Sequence, residues 1–319
     1  DTAPNRTNPG PAATIPTMTL LQHHILALGL TAFTTFGLGL LVFLAEPKRR
    51  LNQIFGLYSL AISWWAFHEA FGCGAIDQVT AQFWISMSWI GVIFIAPAFL
   101  HTVFLLTEER RATPVILKTA YLLSFAFLAW HLLWDWHKAP RSIAYARFFS
   151  DFTVLRVLIA VLFLLLVQGG LWKLARTCRN KAGPRRTQMR CLFWSSLIGY
   201  LGGSPDWFLV FGFYVPGLNP FGIYAVPLYS IATTYAVLHH KLFDVNLVIR
   251  KSLLYSLLVT LLTVGYFGLV YAVERLFQVT FGYHSVVGSM TAFAVMALVF
   301  QPLKVGIQRL VDWLLFRAP

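Results

Sequence analysis

The chain has 319 residues, of which 58% are hydrophobic and only 12% are charged. Because an average soluble protein is about half apolar and about a quarter charged, this composition excludes a disordered chain and argues against a water-soluble globule. A net charge of +13 would suggest nucleic-acid binding in a soluble protein. Here the basic residues lie in connections between apolar segments, so we expect no nucleic-acid partner and interpret the charge as a signal of membrane topology.

Apolar segments long enough to cross a bilayer follow one another along the chain. Residues 1–19 contain four prolines and predict an extended tail. After this tail we predict nine membrane helices, since about 20 apolar residues span the hydrocarbon layer. The predicted spans are 20–44, 54–76, 82–106, 115–136, 153–173, 191–211, 222–239, 253–274 and 284–303. The expected fold class is therefore all-α, a polytopic integral membrane helix bundle of about nine helices arranged as seven plus two.

The C-terminal segment 302–319 has a different pattern from the spans. Leu303, Ile307, Leu310 and Leu314 recur at helical spacing, whereas the charged residues fall on other faces, which predicts an amphipathic helix. Such a helix would either lie on the inner membrane surface or begin a parallel dimeric helix that leads to an output domain. The sequence leaves both interpretations open, and it leaves open whether the natural chain continues past Pro319.

Basic residues are distributed unevenly between the two sides of the predicted spans. Nineteen of the 25 Lys and Arg residues lie in connections on one side, and six lie on the other. Because cytoplasmic connections are enriched in Lys and Arg, we expect the N-terminus outside and the C-terminus in the cytoplasm. The basic side is also expected to attract the anionic lipids of the cytoplasmic leaflet.

A small set of ionisable residues interrupts the apolar spans. At a rise of about 1.5 Å per residue, the polar members of this set fall in the outer third of the membrane. Since buried ionisable groups usually face a cavity or a partner, they predict an outward-facing ligand site with aromatic walls. The candidate ligand-binding residues are Trp65, His68, Glu69, His131, Asp206 and Trp207. Hydrogen bonds between helices, together with an ordinary interfacial tryptophan belt, are the alternative interpretation.

Motifs for catalysis and for metal binding are missing from the sequence. It contains no phosphate-binding loop and no zinc-binding His-Glu-x-x-His helix, so we expect no enzymatic activity from this chain. The three cysteines have no metal-site spacing, and no metal site is predicted. We predict no cofactor, but a haem between His68 and His131, or another pigment, is left open.

Three stretches of the sequence resemble the seven-helix N-terminal membrane region of bacterial sensor histidine kinases. They are 235–255 (YAVLHHKLFDVNLVIRKSLLY), 94–101 (FIAPAFLH) and 310–317 (LVDWLLFR). The resemblance implies that the membrane part senses a signal and passes it to cytoplasmic output domains. It also implies that the protein lies in the bacterial inner membrane.

The expected domains follow from the spans and from this resemblance. They are an extracytoplasmic tail (1–19), a seven-helix sensory bundle (20–239), an interfacial coupler with two further membrane helices (240–301) and an amphipathic cytoplasmic helix (302–319). The candidate signal-coupling residues are Asp244, Arg250, Tyr255 and Asp312. The expected partners are membrane lipids, a second copy of the chain or the subunits of a larger membrane complex. The alternatives to a sensory function are an accessory subunit of an electron-transfer or photosynthetic complex and, third, a transporter.

Overall fold

The structure is a computed structural model of the chain, and it describes residues 18–107, 114–180 and 182–239. Within these ranges the protein is all-helical and contains no β-strand. The helices are α1 (Leu20–Ala45), α2 (Arg50–Cys73), α3 (Gln78–Thr107), α4 (Val115–Trp130), α5 (Val154–Asn180), α6 (Gly183–Gly203), α7 (Pro205–Val210) and α8 (Ala225–His239). The predicted coupler, the last two predicted spans and the C-terminal helix lie outside the described residues. So do the coupling candidates Asp244, Arg250, Tyr255 and Asp312.

Each of the first seven predicted spans contains a helix. In the part of the chain that the structure describes, four helical segments are long and apolar enough to cross a membrane: Leu20–Ala45, Gln78–Thr107, Val115–Asp135 and Val154–Asn180. The third of these combines α4 with a π-helical turn, His131–Asp135, that continues it. The count of nine spans and the direction in which the chain crosses the membrane stay predictions.

Local sequence signals fix where several helices begin and end. Thr19 and Gln22 form a capping box at the start of α1, in which each side chain bonds to the backbone N–H of the other. The Gly202–Pro205 sequence interrupts the sixth span, because α6 ends at Gly203 and Pro205 begins the short helix α7. In contrast, α3 continues through Pro97 without interruption.

Six helices form a closed ring of neighbours. Around this ring α2 packs against α1 and α3, α1 against α8, α8 against α6, α6 against α5, and α5 against α3. The helix α4 packs mainly against α3, on the outside of the ring. This arrangement makes α3 the most buried of the four long apolar segments, and it leaves α4 largely exposed on the surface that would face lipid.

Glycines allow the helices of the ring to approach closely, as is common in membrane bundles. A Cβ at Gly91 of α3 would lie 2.5 Å from the carbonyl oxygen of Ala61 and 2.7 Å from the backbone nitrogen of Trp65, both on α2. A Cβ at Gly202 of α6 would lie 2.6 Å from the carbonyl oxygen of Gly222. These contacts bring the backbones of adjacent helices together on two sides of the ring.

The connection between α4 and α5 closes one end of the ring. Arg141 and Phe149 exchange two backbone hydrogen bonds, of 3.0 and 2.8 Å, which fold this connection back on itself. The guanidinium of Arg141 then donates to the carbonyl oxygens of Leu209 and Val210 at the end of α7. Residues 136–153 are thereby attached to α7, and Phe149 and Ser150 are positioned over the space inside the ring.

Candidate functional site

A cavity of about 360 Å³ lies inside the helix ring. Its walls come from α2, α3, α5, α6, α7 and α8, and the 136–153 connection contributes Phe149 and Ser150. The middle of the cavity is apolar and aromatic. It is lined there by Ile62, Trp65, Trp89, Val92, Phe163, Val167 and Trp207. The volume and the apolar walls are typical of a site for a small organic ligand.

Two carboxylic side chains lie at one end of this cavity, which we call the carboxylate end. Glu69 of α2 is only 4% exposed, and its Oε2 accepts a 2.6 Å hydrogen bond from the hydroxyl of Ser88. Asp206 of α7 accepts a 3.4 Å hydrogen bond from the amide of Asn219. The two carboxyl groups are near enough to interact electrostatically. Within the described part of the chain, no basic side chain forms a salt bridge with either of them.

Hydroxyl groups lie at the other end, which we call the tyrosine end and define by Tyr58, Tyr200, Tyr229 and Ser196. The hydroxyls of Tyr58 and Tyr200 are 3.1 Å apart and share a hydrogen bond. Ser196 is 1% exposed, and its Oγ has no hydrogen-bond partner among the residues that the structure describes. A buried hydroxyl without a partner is unfavourable, so a bound molecule could stabilise this end by bonding to it.

A buried arginine supports the aromatic wall from behind. Arg156 of α5 is 2% exposed, and its guanidinium carbon lies 4.9 Å from the centroid of the Trp89 ring. Its Nε is 3.9 Å from Oδ2 of Asp135, which also accepts a 2.6 Å hydrogen bond from Thr153. The indole N–H of Trp89 donates to the hydroxyl of Ser150 at 2.8 Å. Trp89 is therefore fixed at both its face and its edge.

The cavity also reaches the surface of the bundle that would face lipid. Three residues line the cavity while a large part of their surface is exposed: Leu164 of α5 (49%), Leu201 of α6 (63%) and Phe208 of α7 (46%). Since α5 and α6 are neighbours in the ring, we interpret the border between them as a lateral opening of the cavity. A molecule dissolved in the membrane could enter there without passing through water.

Four of the six predicted ligand-binding residues line one cavity. They are Trp65, Glu69, Asp206 and Trp207. They come from α2 and α7, which are far apart in the sequence, so the structure brings together residues that the sequence grouped only by depth. Whether a ligand binds to them stays a prediction.

The two predicted histidines lie elsewhere. His68 stacks on Trp64 at 4.2 Å between ring centroids and bonds to the Trp64 carbonyl oxygen. His131, at the π-helical turn that follows α4, bonds to the carbonyl oxygen of Ser86 at 2.9 Å. Neither histidine lines the cavity. Within the described ranges, no three His, Cys, Asp or Glu side chains are grouped so that they could hold a metal ion.

Arg156, Ser196 and the three tyrosines are not among the residues that the sequence predicts for the site. Arg156 is one of the six basic residues that the sequence assigns to the less basic side, but its side chain is buried in α5. One signal was available for the cavity wall on α2, because Tyr58, Ile62, Trp65 and Glu69 are spaced by four, three and four residues and so share one helix face. Ser196, Tyr200, Gly203 and Trp207 have the same spacing and also line the cavity, although glycine and serine do not mark this face as strongly.

Comparison with known proteins identifies one family. The family model described as the N-terminal 7TM region of histidine kinase matches residues 27–246. The match covers more than half of the chain and includes all of the cavity-lining residues. No curated protein matches the chain.

Proposed function

The chain belongs to the family of N-terminal 7TM regions of histidine kinases, and from this premise we propose that it is a membrane sensor that binds a small molecule in the cavity between its helices. Binding would change how the helices pack, and the change would pass to a cytoplasmic output. A sensory input role follows from the family. The cavity as the place of sensing, and the route from it, are our proposal.

The observation that carries this proposal is the composition of the cavity wall. An apolar space with two carboxyl groups at one end and hydroxyl groups at the other is suited to bind and orient one molecule. A bundle whose polar residues served only to join helices would bond them to one another and leave no such space. The cavity is also formed by six helices, so a ligand inside it contacts most of the ring at once.

A route to the output begins at α8. This helix contributes Val226 and Tyr229 to the cavity wall, and the chain continues from it into the segment predicted to couple the bundle to the cytoplasm. A ligand that prefers one packing of α8 against α6 would shift the population of that packing. The predicted coupling residues Asp244, Arg250 and Tyr255 follow α8 in the sequence.

The proposal is tested by joining the chain in frame to the cytoplasmic half of a histidine kinase with an input region of the same family. Phosphorylation of the response regulator is measured in membranes for the wild type, Glu69→Gln and Asp206→Asn. Asp77→Asn is the matched control, because it also replaces a carboxylate by an amide but lies at the exposed start of α3.

We expect the two cavity variants to change the basal phosphorylation by about fivefold or more, in the range of ordinary allosteric couplings, at unchanged protein level. The control should match the wild type. Equal phosphorylation in all four proteins would contradict sensing through the cavity. Copurification of the chain with other membrane subunits at a fixed ratio would instead favour the accessory-subunit function.

A further inference from the structure

We propose that the ligand of this cavity is a lipophilic amine that enters from the membrane, with its ammonium group at the carboxylate end and a second polar group at the tyrosine end. This inference rests on the proposed function, since it names the class of molecule that the sensor binds. It follows from three features of the cavity: its unpaired acidic groups, its unbonded hydroxyl and its lateral opening.

The charges at the carboxylate end favour a cation. Glu69 and Asp206 both line the cavity, and each accepts a hydrogen bond from a neutral side chain only. The buried Arg156 is close enough to Glu69 to interact with it electrostatically, but its salt bridge is with Asp135, so neither Glu69 nor Asp206 has a salt-bridge partner among the described residues. Carboxylates inside a membrane protein are costly unless a positive charge compensates them. An ammonium group between them would supply that charge and bond to the free carboxylate oxygens.

The aromatic walls favour the same kind of molecule. Trp65, Trp89 and Trp207 lie next to the carboxylate end, and the faces of tryptophan rings attract cations. Trp89 already has the guanidinium of Arg156 over its ring, 4.9 Å from the centroid. A fatty acid would place its carboxylate beside Glu69 and Asp206, where like charges repel, so the electrostatics argue against an anionic lipid.

The tyrosine end sets the length of the molecule. Ser196 lies on α6 and Asp206 lies ten residues later on α7, and ten residues of an unbroken α-helix would span about 15 Å, which is an upper bound here because the helix is interrupted at 202–205. The Oγ of Ser196 lacks a hydrogen-bond partner among the described residues, although it is buried at the cavity wall. A ligand with a chain of about ten carbons could bond to Ser196 while its amine contacts the carboxylates.

The lateral opening explains how such a molecule arrives. Leu164, Leu201 and Phe208 line the cavity and are partly exposed on the surface that would face lipid. All three side chains are apolar, so a long-chain amine that partitions into the bilayer could pass between α5 and α6. A small hydrophilic amine would gain nothing from this route.

Binding of three ten-carbon probes to the purified full chain tests the proposal. Aminodecanol carries an amine and a hydroxyl at opposite ends, decylamine carries only the amine, and decanol carries only the hydroxyl. Affinity is measured by tryptophan fluorescence in lipid nanodiscs, because Trp65, Trp89 and Trp207 line the cavity. The same nanodiscs with the Asp77→Asn chain control for general membrane effects.

We expect aminodecanol to bind most tightly and decanol most weakly. The double variant Glu69→Gln/Asp206→Asn should lower the affinity for both amines by about 30-fold or more, as for the loss of a buried charge partner. Ser196→Ala should weaken aminodecanol about fivefold, the effect of one hydrogen bond, and leave decylamine unchanged. Asp77→Asn should bind all three probes like the wild type.

Equal affinity of the wild type for decanol and decylamine would overturn the amine assignment, and this comparison does not depend on any variant being stable. Equal weakening of both amines by Ser196→Ala would overturn the assignment of the second polar group. Because binding is measured without an output domain, it can fail while Glu69→Gln still alters phosphorylation. In that case the sensor function stands and the ligand class is wrong.

Discussion

Arg156 illustrates how a single buried charge can organise the wall of a membrane cavity. Its side chain is 2% exposed, so it has lost almost all contact with solvent. The carboxylate of Asp135 and the ring of Trp89 take the place of that solvent, and the carbonyl oxygen of Asp151 accepts a hydrogen bond from its Nη1. These contacts connect α5 to the end of α4 and to the cavity wall on α3.

Replacing one member of this ion pair should destabilise the bundle more than replacing both. Arg156→Met leaves Asp135 buried without its cation, and Asp135→Asn leaves the arginine without its anion. We expect each single variant to lower the free energy of unfolding by about 3–5 kcal/mol, as for other broken buried pairs. The double variant should lose less than either single variant, as measured by titration with a denaturing detergent. Strict additivity would contradict direct pairing.

The start of α3 should give a pH-dependent contribution to stability. Asp77 accepts hydrogen bonds from the backbone N–H and the hydroxyl of Thr80, at 2.9 and 2.8 Å, and these bonds lower the pKa of the carboxyl group. A lowered pKa in the folded state means that the stabilisation is complete above the usual aspartate pKa of about 4 and is lost as pH falls through the folded value.

The thermal midpoint of the wild type should therefore exceed that of Asp77→Ala at neutral pH, and the difference should shrink as the pH is lowered below about 4. Asp77→Asn provides the control, because asparagine can cap a helix without titrating. The difference in thermal midpoint between Asp77→Asn and Asp77→Ala should not vary with pH. If the difference in thermal midpoint between the wild type and Asp77→Ala did not vary with pH, the capping role of Asp77 would be contradicted.

Rotation about the helix axis limited the prediction of site residues. Glu69 and His68 are adjacent in sequence and lie at the same depth, but neighbouring helical residues differ by about 100° in direction, so only one of them can face the cavity. The rise per residue gives an expected depth for each residue, whereas its direction depends on which neighbours the helix packs against. Only the structure fixes those neighbours.

At the scale of elements, the backbone contact between α2 and α3 depends on Gly91. The sequence gives no reason to single out this glycine among the 22 in the chain. It matters because the carbonyl oxygen of Ala61 lies only 2.5 Å from the position that a Cβ would take. The break after α6 does have a signal in the sequence, because glycine and proline together at 202–205 weaken a helix, and Asp206 and Trp207 follow this break at the cavity wall.

Gly91→Ala should separate α2 from α3 and destabilise the bundle by about 1–3 kcal/mol, the usual cost of overpacking. Gly169→Ala on α5 is the matched control, because a Cβ there would meet no atom within 4 Å. This control should be neutral or slightly stabilising, since alanine favours helix more than glycine does. The stability of both variants is measured by thermal unfolding. An equal loss of stability in the two variants would contradict the argument that Gly91 is needed for close helix contact.

The gap between α5 and α6 can be tested as an entrance. Leu164→Trp and Leu201→Trp add bulk at the lateral opening, so we expect them to slow the association of aminodecanol by about tenfold, as for other binding steps that require a structural opening. The equilibrium affinity should change less than the rate, because the carboxylate end is untouched. Leu122→Trp on α4 is the control, because Leu122 is 71% exposed and does not line the cavity. Unchanged association in the entrance variants, as measured by stopped-flow fluorescence, would exclude this route.

At the scale of the whole molecule, the helix order follows from the sequence but the closure of the ring does not. Runs of apolar residues predict a helix in each of the seven spans between residues 20 and 239, because a helix that crosses a membrane needs a minimum length and a high hydropathy. Which helices become neighbours depends on the fit of small and large side chains. That α4 lies outside the ring and α8 completes it could not be derived from hydropathy.

Orientation in the membrane is the remaining property of the whole molecule that the sequence predicts. Ala182 precedes α6 and Phe213 follows α7, so a helix of 21 residues, about 30 Å long, separates the two sites. Since the connection at Ala182 is rich in Lys and Arg, a green fluorescent protein inserted there should fluoresce, and alkaline phosphatase inserted at Phe213 should be active. Green fluorescent protein inserted at Phe213 should not fluoresce, and alkaline phosphatase inserted at Ala182 should be inactive.

Exchange of the two results would reverse the orientation and place the carboxylate end of the cavity on the cytoplasmic side. Both reporters on one side would have a stronger consequence, because α6 would then not cross the membrane and the ring could not enclose a cavity within it.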